Sequence, residues 1–274
     1  MGPKANLKAS RKAIPKAFLG ATGALFACGA VALSIGQASA ETFVEHSAEV
    51  RMQLDFVVPD AALKAFLPAG FEPSVATSGP AKDCNLRMIF IDRVDITKQD
   101  GSPAAPGSNQ LVYLAVPIKQ PSTSTTGQML IFGLTADPKD APGPHGVYGH
   151  ANSHRMERST TGAAGKETLT EEIWEFAAPS GERMDVRLKY ERAAARKSSN
   201  EVKFFSSINP GFYQIFKIDQ GLDIMRNATV PVRDRVKEFS YKAGGGKIAS
   251  LFDGTERVVS IDALHWYNRG VYLP

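Results

Sequence analysis

Residues 50 to 58 alternate without a break, with Met52, Leu54, Phe56 and Val58 on one face and Arg51, Gln53 and Asp55 on the other. Side chains of an extended chain point to opposite sides at successive residues, so this period of two specifies a half-buried strand. Strand-like apolar runs recur at Leu86 to Val94, Gln110 to Ile118 and Gln128 to Thr135. Turn-rich sequence separates them: Asp100-Gly101-Ser102-Pro103 with Pro106-Gly107, then Pro121 to Gly127. Glu171 to Phe176 and Arg183 to Glu191 flank Pro179-Ser180-Gly181, a hairpin signal. Further strands are expected at Glu201 to Ser206, Tyr213 to Ile218, Val236 to Tyr241 and Arg257 to Trp266. Many short strands at near-regular spacing point to a mainly β (α+β) domain, an antiparallel sheet or closed barrel and not a βαβ sheet. One short helix is expected at Ala61 to Leu67, opened by Pro59-Asp60 and stopped by Pro68-Ala69-Gly70.

Two segments break the rhythm. Ala136 to Gly165 is long, rich in Gly and Pro, and holds three of the five histidines. Ala193 to Asn200 is polar and reads as an exposed connection. Long irregular segments in compact domains are enriched in function, with disorder as the competing reading.

The chain begins with Lys4, Lys8, Arg11, Lys12 and Lys16 and no acidic residue, then carries no charge from Ala17 to Ala40. It ends that stretch on Ala38-Ser39-Ala40, the small-x-small pattern before a signal-peptidase cut. Residues 1 to 40 therefore read as a secretory signal peptide and 41 to 274 as a single domain, periplasmic or secreted. Two alternatives stay open: an uncleaved anchor, and lipidation at the lipobox-like Leu25-Phe26-Ala27-Cys28. Contact with a membrane is expected only through this leader. The formal net charge of +4 also belongs to it, because its five cations leave the rest of the chain at −1. A nearly neutral domain gives no reason to expect nucleic acid as a partner.

Only Cys84 follows the leader, so no disulfide can form within the domain, and a buried, inert thiol is expected. The chain has no G-x-S-x-G, H-E-x-x-H, phosphate-binding glycine loop or C-x-x-C, and no cofactor is expected. Asn227-Ala228-Thr229 matches the N-glycosylation triplet, a pattern common by chance.

Two groups of residues carry chemistry. His145, His150 and His154 lie close in sequence, and the last two have the spacing of one helical face. With His145, Asp140 or Glu157 as a third ligand they could hold zinc or copper, although Gly146 and Gly149 oppose a regular helix. The bland alternative is a polar surface loop. The second group is Glu172, placed by alternation beside Trp174 and Phe176. A carboxylate among aromatic rings suits a general acid, unless the strand is an edge and Glu172 reaches water.

From Val58-Pro59-Asp60-Ala61-Ala62-Leu63-Lys64-Ala65-Phe66-Leu67-Pro68-Ala69-Gly70-Phe71 onward, the chain resembles the acetoacetate decarboxylase superfamily. This stretch is similar to the family's strand, short helix and leucine-proline-x-glycine turn. Leu86 to Val94 resembles the next strand, and Leu111-Val112-Tyr113-Leu114-Ala115-Val116-Pro117-Ile118 the strand ending in Val-Pro. Ala136 to Gly149 resembles the loop before the catalytic segment. The resemblance spans roughly residues 50 to 270. It implies an acetoacetate decarboxylase-like barrel with a few short helices, a small-molecule ligand and assembly into homo-oligomers. It also implies a Schiff-base lysine whose pKa a neighbouring cation lowers. That lysine is missing here, where the matching stretch is Gly149-His150-Ala151-Asn152-Ser153. The acid expected before the Val-Pro strand is replaced by Asn109 and Gln110.

The resulting expectation is an exported decarboxylase-like barrel that binds a small organic acid or carbonyl compound without Schiff-base chemistry. Tyr148, Asn152 and Arg155 would bind the ligand. The sequence leaves open whether it is an enzyme; if it is, acid–base work falls to His150, His154 and Glu172. Three rivals stand beside it: a non-enzymatic periplasmic binding or accessory protein using the histidines for a metal, a decarboxylase using Lys166, Lys189 or Lys203, and a lipocalin-like carrier.

Overall fold

The computed structural model describes residues 40–104, 109–137, 139, 141–163 and 167–274. Residues 1–39 of the leader lie outside these residues, as do Asp140 and Lys166.

The strands in chain order are β1 (Thr42–Val57), β2 (Glu72–Pro73), β3 (Leu86–Thr97), β4 (Asn109–Gln120), β5 (Thr125–Thr135), β6 (Tyr148–His150) and β7 (Ser153–Thr161). There follow β8 (Leu169–Ala177), β9 (Arg183–Glu191), β10 (Arg196–Ser206), β11 (Tyr213–Asn227), β12 (Arg233–Asp234), β13 (Val236–Gly244) and β14 (Arg257–Leu273). Because β4 pairs with both β3 and β5, seven strands close into a ring in the order β4-β3-β1-β14-β11-β10-β5. Every contact in the ring is antiparallel except β5 with β10, which run parallel over three residue pairs. Past that short contact, β6 takes the same edge of β5. A second antiparallel sheet, β13-β9-β8-β7, completes the domain. The mainly β architecture and the closing of the sheet agree with the sequence expectation.

Alternation sorts side chains into two clusters. Met52, Leu54, Phe56, Met88, Phe90, Val112 and Leu114 face out of the ring and pack against Trp174, Phe176, Met184, Val186 and Leu188 of the second sheet. Phe90 lies 6.0 Å from the Trp174 ring and 6.2 Å from Phe176. Burying each such side chain is worth about 1.5–3 kcal/mol, so this apolar layer holds the two sheets together. The inner cluster contains Ile89, Ile91, Leu111, Tyr113, Phe204, Phe216, Ile218, Leu264 and Tyr267.

Both faces of β1 are buried, which revises the half-buried strand expected from its pattern. Arg51 and Asp55 are as inaccessible as Met52 and Leu54. Their polar face looks into the barrel, not into solvent. Two further expectations change. Ala193 to Asn200, expected to be a connection, contains the first half of β10, with Arg196 opposite Leu222. The irregular 136–165 segment contains β7, an exposed edge strand whose polar sequence has no apolar face to reveal it. The expected helix is a single α-turn, α1 (Asp60–Lys64), continued by tight bonds from Phe66 N–H to Leu63 and from Leu67 N–H to Lys64.

Candidate functional site

The polar face of β1 and its neighbours builds a cavity of about 380 Å³ inside the barrel. Three adjacent strands supply its charged wall. Asp55 on β1 pairs directly with Arg87 on β3, and Gln53 on β1 pairs with Asp262 on β14. Asp55 and Asp262 are thus diagonal neighbours on one face, a placement that puts their side chains within mutual reach. Arg51, Tyr113, Gln128, Asn200, Gln220 and Tyr267 add polar groups, and Ile89, Val202, Phe204, Ile218 and Leu264 add apolar ones. This volume lies at the small end of ligand pockets, and the mixture of apolar walls with a few convergent polar groups is typical of them.

The two carboxyl groups are unusual. Burial, followed by the adjacent Asp55 charge, pushes Asp262 up to about 8, against the opposing bond from Ser260 and the Arg87 charge. Burial likewise raises Asp55, opposed by Arg87 and by Gln53. Gln53 Nε2 donates to Asp55 Oδ1 at 3.0 Å, Arg87 Nε stands 3.5 Å from the same oxygen, and Ser260 Oγ donates to Asp262 Oδ1 at 2.8 Å. Asp55 Oδ2, Arg87 Nε and Gln128 Oε1 are buried without a hydrogen-bond partner. Two like charges this close in a low dielectric do not both ionise near neutral pH, so the pair retains a proton.

Deeper in the barrel, Glu49 is enclosed by arginines. Arg269 Nη2 lies 2.8 Å from Glu49 Oε1, and Arg51 binds the other oxygen through Nε at 2.6 Å. Arg93 and Arg269 also reach Glu45. Arg51 lies 3.5 Å over the Tyr267 ring and donates to Tyr113 Oη at 3.2 Å. Burial alone would raise the Glu49 pKa, but Arg269, Arg51, Arg93 and the Ser47 hydroxyl overcome it and hold the group at about 2. Tyr148 reaches this assembly because it pairs with Gly133, where a Cβ would stand 2.5 Å from the tyrosine ring. Burial pushes its phenol above the ordinary range and keeps it a neutral O–H.

The residues singled out from sequence fall in several places. Tyr148 borders the barrel interior, as just described. His150 is exposed at the edge of a separate groove of about 660 Å³, shared with Phe66, Phe132, Leu134 and Lys247. Asn152 is exposed. His154 is also exposed and stacks on Phe176 at 6.4 Å, while Arg155 pairs with Glu157 and Glu175 on the surface. His154 pairs with Phe176 and Glu172 with Arg158, four residues further along the ladder, so His154 and Glu172 are about 13 Å apart along the strand. The structure does not gather His150, His154 and Glu172 at one point.

Glu172 does lie beside Trp174, as alternation required, but it is fully engaged. It accepts two bonds from Arg158 at 3.0 and 3.1 Å, one from Trp174 Nε1 at 2.9 Å and one from Tyr190 Oη at 2.8 Å. This arrangement ties β7, β8 and β9 together. Tyr190→Phe should lower unfolding free energy by about 2 kcal/mol, the usual range for a bond to a charged group, as measured by urea denaturation.

His145 is buried, 3.0 Å from Gln214 and against the Phe212 ring, and burial lowers it to about 4. Among the described residues no three His, Cys, Asp or Glu side chains are grouped as metal ligands. Lys189 lies on the second sheet bound to Glu171 at 2.6 Å, and Lys203 borders an outer groove near Tyr213. Among the described residues, no lysine lines the barrel cavity. Cys84 is buried, and burial with the neighbouring Asp55 charge pushes it up to about 12, so it stays a thiol. Asn227 spends its amide on Thr229 and Pro231, which makes it a loop clamp and not a free glycosylation acceptor.

A further concavity of about 810 Å³ lies on the second sheet. Its charges neutralise one another across strands, Lys189 with Glu171 and Glu238, and Arg158 with Glu172.

A seven-stranded ring with one parallel contact and a second sheet against it can be set beside known proteins. The chain is similar in fold to acetoacetate decarboxylase-like structures. One is the enduracididine biosynthesis enzyme MppR complexed with pyruvate, 13% identical, with 87% of this chain and 91% of that one covered and a TM-score of 0.46. Another is an acetoacetate decarboxylase-like enzyme from Sphingomonas wittichii RW1, 12% identical over 84% and 90% of the two chains, TM-score 0.48. Acetoacetate decarboxylase from Legionella pneumophila is 10% identical over 85% and 86%, TM-score 0.45. No protein-family model and no curated protein matches the chain.

Sequence reasoning missed Asp55, Arg87 and Asp262. Their signal was present as polar residues alternating within strands, and it pointed to solvent only because a wet outer face was assumed.

Proposed function

We propose that this is an exported barrel protein that binds a small organic acid as its anion inside the barrel, without forming a Schiff base. The charge balance of the interior carries the reading. Arg51, Arg87, Arg93 and Arg269 face Glu45, Glu49, Asp55 and Asp262 inside the barrel, Arg196 adds a further cation to the cavity lining, and the proton kept by the aspartate pair leaves this interior net positive. That excess favours an anion over a neutral molecule. Arg87 lines the cavity and its Nε makes only a long contact, 3.5 Å, with Asp55 Oδ1, which leaves the guanidinium able to take a ligand carboxylate. Against Schiff-base chemistry stand the missing family lysine and a cavity lined by arginines, which do not form imines. The export half rests on the leader's basic start, uncharged run and Ala38-Ser39-Ala40 end.

Calorimetric titration of the purified domain with short oxo acids at pH 6.5 tests this. Arg87→Gln should weaken binding at least about tenfold, the scale of a charge-assisted bond. Equal affinity for the corresponding neutral amides would remove the anion reading.

A further inference from the structure

We propose that Asp55 and Asp262 are a general base and a general acid that enolise an oxo acid bound in the barrel cavity. This rests on the binding reading above and adds a reaction to it. Three geometric observations converge. The carboxyl groups sit on adjacent strands, diagonal to one another, in the wall of the barrel cavity. Asp55 is almost fully buried, and its Oδ2 has no hydrogen-bond partner. The two groups are supported unequally: Asp55 Oδ1 has both the Gln53 amide and Arg87, whereas Asp262 Oδ1 has only the Ser260 hydroxyl. Donors and a cation stabilise the ionised form, so Asp55 is the carboxylate and Asp262 keeps the proton.

With the ligand carboxylate at Arg87, the two roles follow. Asp55 Oδ2 takes a proton from the carbon next to the carbonyl, and the C–H electron pair becomes the new C=C bond. The carbonyl π pair takes the proton of Asp262, giving the neutral enol, with Asp55 now protonated and Asp262 ionised. Reversal returns a proton to carbon and restores the ketone, so atoms, charge and electrons balance without an oxidant or cofactor. A base and an acid aligned on the same substrate are what carbon-acid chemistry needs near neutral pH. The groups that tune the pair are Gln53 on β1, Arg87 on β3, Asp223 on β11, Ser260 on β14 and the un-ionised Cys84.

The test is hydrogen exchange at C3 of 2-oxobutanoate in deuterium oxide, followed by proton NMR, with binding measured by calorimetry on the same samples. The wild-type domain should exchange C3 hydrogens at least about 100-fold faster than buffer, with a bell-shaped pH dependence. Asp55→Asn and Asp262→Asn should each lose about 100-fold or more while binding stays within a few-fold, which also shows that the variants fold. Binding without accelerated exchange overturns the catalytic proposal and leaves the binding reading standing. Undiminished exchange in the two variants overturns it as well. Absence of binding in the wild type overturns both.

Discussion

Replacing Glu49 by Gln should destabilise the domain by about 3–5 kcal/mol, the scale for removing one partner of a buried ion pair. Glu49 is fully enclosed and is the carboxylate shared by Arg51, Arg93 and Arg269. A glutamine keeps the shape but takes the Glu49 charge from three buried guanidinium groups, of which Arg93 and Arg269 still reach the partly exposed Glu45. The Arg51 stack on Tyr267 and the Arg269 stack on Phe216 would persist, since ring contacts need no carboxylate. The acid limb gives a second reading of the same effect. A carboxyl group held at about 2 in the folded state, against an ordinary value near 4.5, stabilises the fold above pH 4.5. That stabilisation is lost as pH falls from there towards 2. Urea denaturation at a series of pH values should therefore show the gap between wild type and Glu49→Gln closing over that interval. A gap that stays constant from pH 5 to pH 2.5 would mean that the loss is steric and not electrostatic.

The barrel was legible in sequence where strands carry apolar residues at every second position, as in β1, β3, β4 and β5. These strands bury an apolar face against the second sheet, and the hydrophobic pattern records that face directly. What the pattern does not record is the environment of the other face. Arg51, Gln53 and Asp55 look the same in sequence whether they meet water or a barrel interior, because closure depends on β4 pairing with β5 and on a three-residue parallel contact between β5 and β10. The same ambiguity hid the candidate site, since Asp55, Arg87 and Asp262 come from strands far apart in sequence and meet only through register. The histidines drew attention through their density, but a short segment passing from β6 of one sheet to β7 of another separates His150 from His154. Glu172 was placed correctly beside Trp174, while three of its four hydrogen bonds depended on Arg158 and Tyr190 from two other strands.

Asp262→Asn should make the domain more stable than wild type at pH 8, by at least about 2 kcal/mol, and remove most of the wild-type decline between pH 4 and pH 8. The direction follows from where the proton is held. In the unfolded chain Asp262 ionises at its ordinary value near 3.8, whereas in the barrel burial and then the Asp55 charge keep it protonated up to about 8. Stabilisation is complete below the lower value and falls as pH rises through the interval, because the unfolded state gains a solvated charge that the folded state resists. Asparagine is nearly isosteric and cannot ionise. Its amide oxygen can still accept from Ser260 Oγ, and it carries no charge to oppose that of Asp55. Asp55 would then ionise with Arg87 and Gln53 as its partners, free of a second carboxylate beside it. Urea denaturation of both proteins at half-unit pH steps measures the effect, and parallel curves for the two proteins would mean that the aspartates do not share a proton. The substitution that makes the barrel more stable also removes the group offered as the general acid. A gain in stability at pH 8 with a loss of exchange activity would be the signature of a destabilised carboxyl pair held for chemistry and not for folding.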